Sequence, residues 1–203
     1  CTSAEPQILQ ELNRDTHLHV LGPRMLSGHH QGRVLSMISH MVKPKTILEI
    51  GTYTGYATIA LAEGLASDGT IHTIEVNPEL EGRLMKWFNR AGIIKKVKLH
   101  IGDAIHIIPQ LSDPADLVFL DADKANYPAY YLMLRKQMMP GSFILADNTL
   151  WDGKVIKPAA PNDHDTKGIQ RFNQMVMDDK GVEQVVLPLR DGLTLIRIHE
   201  KKS

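Results

Sequence analysis

The chain has 203 residues. A domain of this size buries roughly 70% of the surface of its unfolded chain, so it folds without a disulfide or a structural metal. Its 23 basic and 23 acidic side chains balance, which removes the basic excess by which proteins bind nucleic acids, and its single cysteine excludes an intrachain disulfide. No apolar run reaches the roughly 20 residues of a membrane span, and no signal-peptide pattern opens the sequence, so we expect a cytoplasmic protein without membrane partners.

The predicted elements begin with two helices, at 6–21 and 31–42, where apolar side chains recur at helical spacing. From about residue 45, short runs rich in Ile, Leu and Val alternate with longer helical stretches. The predicted strands are 46–50, 70–76, 97–101, 116–120 and 142–146. The predicted helices between them are 55–66, 78–91, 104–111 and 127–138. Asn77 followed by Pro78 is typical of a helix start.

Repeated strand–helix–strand units predict an α/β fold with a doubly wound, mostly parallel sheet and helices on both faces. Near the end of the chain, β-rich runs at 182–189 and 193–199 flank Arg190-Asp191-Gly192, which predicts an antiparallel hairpin at one edge of the sheet. The polar, proline-containing segment 152–166 is predicted to be a long exposed loop. We expect one domain over 1–203, in which residues 1–44 form helices that cap the 45–203 core and provide an interface.

A glycine-containing turn, Gly51-Thr52-Tyr53-Thr54-Gly55, follows the first predicted strand and leads into a helix. Glycines in such a turn let the backbone pass close to a ligand. A dinucleotide fingerprint needs glycine in place of Tyr53, and a P-loop needs Gly-Lys-Ser/Thr before the helix, so the turn fits a nucleoside without a bound phosphate. Glu75, which ends the second strand, is placed to accept hydrogen bonds from ribose hydroxyls. A merely structural turn, with Glu75 at the surface, is the alternative.

Buried or clustered acidic residues mark the ends of three predicted strands. Glu49 lies in a buried strand and needs a partner, which the ammonium of an amino-acid moiety would supply. Asp121 and the pair Asp147-Asn148 follow two further strands and offer only hard oxygen donors, which suit Mg²⁺, or alternatively Mn²⁺ or Ca²⁺. Each of them has an alternative interpretation: Asp121 as a helix cap, and Asp147-Asn148 as a turn.

Lys124 lies three positions after Asp121. Near a divalent cation, the ammonium form of this lysine would be disfavoured, and a neutral lysine can act as general base on a hydroxyl. Its alternative role is an ion pair with Asp121 or Asp123. His29 and His30 are candidates for the entrance of the pocket; the ten histidines show no zinc-site spacing.

The segments Leu48-Glu49-Ile50-Gly51-Thr52-Tyr53-Thr54-Gly55-Tyr56, Leu120-Asp121-Ala122-Asp123-Lys124 and Asp147-Asn148 resemble the cation-dependent O-methyltransferases. This group contains the caffeoyl-CoA and catechol O-methyltransferases. The resemblance runs in order from about Met25 to the final strands. It implies a Rossmann-like, seven-stranded class I methyltransferase fold whose last two strands form the antiparallel hairpin, and it implies a homodimer.

The resemblance also implies ligand contacts. Residues expected to surround S-adenosylmethionine are Ser27, Glu49, Gly51, Thr52, Tyr53, Gly55, Ala57, Glu75, Ala104 and Asp123. Asp121, Asp147 and Asn148 would hold the metal, Lys124 would lie beside the reacting hydroxyl, and Trp151 and Asp152 would contact the substrate. Segment 27–32 differs from the threonine- and acid-containing segment of plant members, which argues against a phenylpropanoid-CoA substrate. Glu75 replaces a usual aspartate, and Ala57 a usual serine.

The mechanism implied is an in-line methyl transfer to one hydroxyl of an aromatic vicinal diol that chelates the metal, with Lys124 and Asp121 as catalytic residues. Two other functions stay open at this stage. A nicotinamide-dependent oxidoreductase could use a similar sheet, although Tyr53 argues against it. A non-catalytic S-adenosylmethionine-binding module would not need the oxygen cluster or Lys124. Methylation of RNA or protein is disfavoured by the balanced charge.

Overall fold

The computed structural model describes residues 1–199; the predicted domain extends to 203, and residues 200–203 lie outside the described part. Within the described residues, seven strands form one mostly parallel sheet, as predicted. The chain divides into two compact units, Cys1–Asp103 and Ala104–Ser203. The expectation of a single domain stays a prediction.

The first unit contributes three parallel strands in the order β3-β2-β1, paired from Thr46↔Thr70 and Ile71↔Val97 onward. The strands are β1 (Thr46–Ile50), β2 (Thr70–Glu75) and β3 (Val97–Ile101). The helices are α1 (Gln7–His19), α2 (Gly28–Val42), α3 (Tyr56–Ala62) and α4 (Glu81–Arg90), with 3₁₀ turns at Pro23–Met25 and Pro78–Leu80. All the predicted elements of this unit are confirmed, and their bounds shift by a few residues at most.

Asn77 caps the turn that precedes α4. Its side chain accepts a hydrogen bond from the backbone N–H of Glu79 at 3.0 Å. Pro78 takes the first position of the turn, as predicted, but the first turn is 3₁₀, so the α-helix begins only at Glu81.

The helices that precede β1 pack on the rest of the first unit. Leu9 and Leu12 of α1 are fully buried and join a core cluster with side chains from α3 and α4. The other buried members of this cluster are Leu26, Tyr56, Ile59, Ala60, Leu84, Trp87 and Phe88. The amphipathic pattern of α1 is therefore explained by burial against α3 and α4.

The second unit contributes four strands in the order β4-β5-β7-β6. They are β4 (Leu117–Leu120), β5 (Phe143–Ala146), β6 (Val182–Leu187) and β7 (Leu193–Ile198), and the helices are α5 (Ala104–Ile107), α6 (Tyr127–Gln137) and α7 (His164–Asp178). β4 and β5 are parallel, whereas β7 runs antiparallel to both β5 and β6. The predicted antiparallel hairpin is confirmed. Among the described residues, no helix has the length and apolar character needed to cross a bilayer.

The prediction of a long exposed loop over 152–166 is wrong at both ends. A 3₁₀ segment that is kinked at Asp152 and Gly153 occupies Trp151–Ile156, and α7, which the sequence did not predict, begins at His164. Asp163 caps α7 by accepting a hydrogen bond from the Thr166 backbone N–H at 3.0 Å. The helix then buries one apolar face, at Ile169, Phe172 and Val176.

Candidate active site

The turn after β1 has the backbone conformation that its glycines predict. Gly51, Tyr53 and Gly55 all have positive φ angles, of 97°, 52° and 86°. A Cβ on Gly55 would lie 2.7 Å from the Phe88 ring, so only glycine fits between the turn and α4. The Tyr53 hydroxyl donates to the Leu21 carbonyl at 3.0 Å, which ties the turn to the segment after α1.

Glu75 anchors this turn from the end of β2. One carboxylate oxygen accepts the Tyr53 backbone N–H at 2.7 Å and the other accepts the Asn77 backbone N–H at 2.9 Å. The side chain is buried, so the alternative of a surface glutamate is wrong. Because a carboxylate oxygen can accept more than one hydrogen bond, these amides leave capacity for a further donor.

Glu49, on β1, is fully buried and finds its partners within the first unit. Its Oε2 accepts hydrogen bonds from the hydroxyls of Thr58 on α3 and Thr73 on β2, both at 2.5 Å. The Thr73 oxygen also lies 2.6 Å from the Thr52 hydroxyl, which extends the chain of hydrogen bonds into the turn. Sequence reasoning predicted only a ligand ammonium as the partner and missed both threonines.

Two further predicted cofactor residues of the first unit are buried beside these elements. Ser27 immediately precedes α2, and Ala57 lies in the first turn of α3. His29 was a candidate for the pocket entrance; its Nε2 lies 2.7 Å from the Ser3 carbonyl oxygen, and His30 is exposed. His29 thus contacts the N-terminal segment of the chain.

In the second unit, Asp121 and Asp147 follow directly after paired positions of two parallel strands. Leu120 of β4 is in register with Ala146 of β5, and the Asp147 backbone N–H donates to the Leu120 carbonyl at 3.0 Å. The two aspartates therefore leave the same end of the sheet side by side, as predicted. Asp147 is buried, and Asp121 is partly exposed.

Lys124 is an almost fully buried lysine, with 8% of its side chain exposed. Its Nζ donates to Asp121 Oδ1 at 2.9 Å and to the Tyr127 hydroxyl at 2.7 Å. The ion pair with Asp121, one of the two roles that the sequence left open, is therefore present. These two hydrogen bonds hold the Lys124 amine in place.

The Tyr127 hydroxyl lies at the centre of this acidic group. Burial, followed by the negative charges of Asp121, Asp147 and Asp123, raises the pKa of Tyr127 well above its ordinary value. All three carboxylates thus act on one hydroxyl, and this hydroxyl stays protonated. Tyr127 was not among the predicted site residues, although its position three residues after Lys124 places both in neighbouring helical turns.

Asp123 is exposed and is held by two neighbours. The Tyr130 hydroxyl donates to its Oδ1 and the Asn126 amide donates to its Oδ2, both at 2.6 Å. Ala104, the other predicted cofactor residue of the second unit, is buried at the first position of α5.

Backbone strain is concentrated in the segment that follows β5. Asn148, Trp151 and Asp152 have φ angles of 59°, 48° and 53°, a conformation that side chains rarely adopt. Asp191, in the β6–β7 turn, holds this segment: its carbonyl accepts the Leu150 N–H at 2.9 Å and its carboxylate accepts the Asp152 N–H at 2.5 Å. The buried Trp151 Nε1 makes no hydrogen bond within the described residues.

The donor set at the ends of β4 and β5 fits a hard cation in kind. Asp121, Asp147 and Asn148 supply two carboxylates and an amide oxygen. Asp147 Oδ1 already accepts the Asn148 backbone N–H at 2.8 Å, which fixes that carboxylate. Within the described part of the chain, no three His, Cys, Asp or Glu residues lie together in a way that could hold a metal, and the predicted site accordingly has two carboxylates and takes its third ligand from Asn148.

Comparison with known proteins identifies the family. A family model described as O-methyltransferase matches residues 1–199. The chain belongs to this family. It is 34% identical to the catechol O-methyltransferase of Niastella koreensis, over 81% of this chain and 78% of that protein, and 34% identical to caffeoyl-CoA O-methyltransferase 2 of Zea mays, over 95% and 77%.

The O-methyltransferase TomG from Streptomyces achromogenes, which is involved in tomaymycin synthesis and was crystallised with S-adenosylmethionine, has the same fold. Its TM-score to this chain is 0.89 at 29% identity, and the match covers 97% of this chain and 91% of TomG. The protein is thus an S-adenosylmethionine-dependent O-methyltransferase with the class I methyltransferase fold. The predicted family, fold and enzyme class are confirmed, and the alternatives of an oxidoreductase and of a non-catalytic module are wrong. The roles of individual residues and the cation stay predictions.

Proposed function

We propose that this O-methyltransferase depends on a divalent cation and methylates one hydroxyl of a small aromatic vicinal diol of the catechol type. The observation that carries the proposal is the ion pair between the buried Lys124 and Asp121, with Nζ and Oδ1 2.9 Å apart, beside a second aspartate, Asp147, directly after the neighbouring strand. The similarity to proteins named catechol and caffeoyl-CoA O-methyltransferases supports the choice of substrate class.

Asp121, Asp147 and Asn148 would hold the cation, with Mg²⁺ preferred and Mn²⁺ or Ca²⁺ as alternatives. When bound, it would supply Lewis-acid stabilisation of the negative charge on the acceptor oxygen. Asp121 would serve both the cation and Lys124, since a carboxylate has two oxygens and only Oδ1 bonds to the lysine.

Lys124 would be the general base of the reaction. Its Nζ would accept the proton of the acceptor hydroxyl, so that the oxygen can attack the methyl carbon as the carbon–sulfur bond breaks. S-adenosylmethionine, when bound, supplies the electrophilic methyl group. The hydrogen bonds of Lys124 to Asp121 and Tyr127 hold the amine in place before the substrate arrives.

The cofactor would contact the two buried carboxylates of the first unit. Glu75 would bind the ribose hydroxyls and Glu49 the ammonium of the methionine moiety, because both lie at the ends of neighbouring parallel strands. The remaining proposed cofactor contacts are Ser27, Gly51, Thr52, Tyr53, Gly55 and Ala57 in the first unit, and Ala104 and Asp123 in the second.

Trp151 and Asp152 would contact the acceptor substrate. The buried Trp151 Nε1–H, which has no acceptor among the described residues, fits a hydrogen bond to a substrate oxygen, because a buried donor left unpaired is costly. The strained backbone at both residues supports a functional role for the segment.

We also propose a homodimer. On the outer face of α2, Met37 and Met41 are 62% and 74% exposed, and such side chains favour an interface. Light scattering coupled to gel filtration checks this: a monomer at micromolar concentration would contradict it. A cytoplasmic location stays a prediction.

The cation is tested by assaying formation of S-adenosylhomocysteine with catechol before and after treatment with a chelator. We expect activity to be lost in chelator and restored by Mg²⁺. Resorcinol, whose hydroxyls are not adjacent, is the matched substrate control and should be methylated much more slowly. Full activity in chelator would remove the cation from the mechanism, and equal rates on the two diols would remove the vicinal requirement.

Replacement of Lys124 by alanine should lower kcat by roughly 10²-fold or more, since a general base contributes at least that much, and should leave binding of S-adenosylhomocysteine unchanged in calorimetry. Lys136→Ala, at an exposed lysine of α6, is the control and should behave as wild type. Wild-type turnover in Lys124→Ala would rule out this role.

A further inference from the structure

The hydroxyl of Tyr127 joins three parts of the second unit. It lies 3.0 Å from the Leu120 carbonyl at the end of β4, 3.1 Å from the Asp147 carbonyl after β5, and 2.7 Å from Lys124 Nζ. The side chain is fully buried, so water does not compete for these contacts. The hydroxyl itself must therefore provide the donor or the acceptor of each hydrogen bond.

The donor and acceptor capacities of these groups determine the direction of each hydrogen bond. A phenol has one hydrogen to donate and lone pairs with which it accepts, whereas a backbone carbonyl only accepts. The hydrogen of Tyr127 is therefore directed to the two carbonyls of Leu120 and Asp147. The same oxygen must then act as the acceptor towards Lys124, whose Nζ donates to it.

The two hydrogen bonds of Lys124 restrict the orientation of its amine. Beyond the bond to its own side chain, the tetrahedral nitrogen has three positions. One N–H is directed to Tyr127 and a second to Asp121. Only the third position, which is an N–H in the ammonium form and a lone pair in the neutral form, remains to face a substrate.

We propose that Tyr127 is a positioning residue of the methyl transfer: together with Asp121 it turns the third position of the Lys124 amine towards the acceptor hydroxyl. The inference rests on the proposed role of Lys124 as general base and adds the residue that orients it. The hydrogen bond that the Tyr127 oxygen accepts from Lys124 Nζ carries this effect. Misplacement of a catalytic group by about 1 Å is enough to slow a reaction.

Helix α7 holds in place Tyr127 and the 3₁₀ turn Lys124–Asn126, called the Lys124 turn below. The Phe172 ring packs edge-on against the Tyr127 ring, with centroids 5.4 Å apart and an angle of 81°. Four residues earlier in the same helix, Gly168 lies so close to the Lys124–Ala125 backbone that a Cβ would be 2.7 Å from the Ala125 Cα. The helix thus supports both partners of the Lys124–Tyr127 hydrogen bond.

The test is Tyr127→Phe, which keeps the ring and removes the acceptor oxygen. We expect kcat to fall by about 10-fold to 100-fold, with the KM values for S-adenosylmethionine and catechol changed by no more than about 2-fold, because orientation and not binding is lost. The matched control is Tyr131→Phe. Tyr131 lies on the same helix and packs edge-on against the same Phe172 at 5.7 Å, but its hydroxyl donates to Asp179, so its turnover should equal that of wild type.

A double-mutant cycle separates positioning from general stability. If Tyr127 acts through Lys124, Tyr127→Phe should not lower kcat further in the Lys124→Ala background, whereas a structural effect would lower kcat by the same factor in both. Replacement of Tyr127 by p-aminophenylalanine keeps donors for the two carbonyls but offers a poor acceptor to the lysine. It should fold as wild type and show the same reduced kcat, and it decides the question if Tyr127→Phe does not fold.

Two results would overturn the inference: wild-type kcat in a folded variant that lacks the acceptor oxygen, or equal factors in the two backgrounds of the cycle. Failure of the proposed function gives a different result, because Lys124→Ala itself would then turn over like wild type. The two failures are therefore distinguishable in one set of assays.

Discussion

Gly168→Ala tests how α7 supports the Lys124 turn. Gly168 is an interior residue of α7. The methyl group of an alanine at this position would contact the backbone of Lys124 and Ala125. Built on the existing backbone, a Cβ lies 2.9 Å from the Lys124 carbonyl carbon, 2.7 Å from the Ala125 Cα, and closer still to the Lys124 carbonyl oxygen. Backbone atoms cannot rotate out of the way as a side chain can, so the helix or the turn must move.

The magnitude follows from two opposing terms. Overpacking costs about 1–3 kcal/mol, and the upper end applies because the obstacle is backbone. Alanine in place of glycine in a helix interior recovers about 1 kcal/mol. We therefore expect Gly168→Ala to lower the free energy of unfolding by about 2 kcal/mol, which corresponds to a fall in Tm of about 4–8 °C for a chain of this size.

Thermal unfolding followed by circular dichroism measures this change. Gly82→Ala is the matched control, since Gly82 is also helical, lies in α4, and has no atom within 4 Å of the added Cβ. The control should keep or raise the Tm, because only the gain in helix propensity applies. If Gly168→Ala is as stable as Gly82→Ala, α7 does not pack against the turn as closely as the structure indicates, and the reasoning is refuted.

Two further predictions concern buried or paired carboxylates. The hydrogen bond from Arg135, at 2.6 Å, lowers the pKa of Asp179 to about 2, below its ordinary value of 3.8. This stabilisation is present above pH 3.8 and is lost as the pH falls towards 2. We therefore expect Asp179→Asn to cost about 1–2 kcal/mol in urea unfolding at pH 7 and less near pH 3; an equal cost at both pH values would contradict this. Thr73→Val removes a hydroxyl that donates to the fully buried Glu49, so it should cost about 1–3 kcal/mol and weaken S-adenosylmethionine binding in calorimetry. Unchanged stability and affinity would show that the carboxylate does not need this donor.

The positions of most helices and strands could be predicted because their signals are local. Short apolar runs predicted strands β1 to β7, and Arg190-Asp191-Gly192 between the last two runs predicted the hairpin. α7 was missed because its polar residues and interior Gly168 hide the apolar spacing of Ile169, Phe172 and Val176, although Asp163 before the helix is a usable start signal.

The sequence predicted the part of the candidate site that lies at the ends of strands. Parallel strands finish at the same edge of a sheet, so Asp121 and Asp147 could be placed together from the sequence alone, and the register Leu120↔Ala146 confirms it. The sequence also located Glu49 and Glu75 at the ends of β1 and β2, but it left their partners open.

The sequence by itself thus determined the α/β class, the order of elements, the turn at Gly51–Gly55 and the acidic groups at the strand ends, because spacing and turn chemistry are properties of neighbouring residues. Only the tertiary structure decided which groups those side chains bond to. Thr73 reaches Glu49 from another strand, and Gly168 meets the Lys124 turn from a distant helix. Such contacts depend on the packing of segments far apart in the chain, and periodicity within one segment carries no information about them.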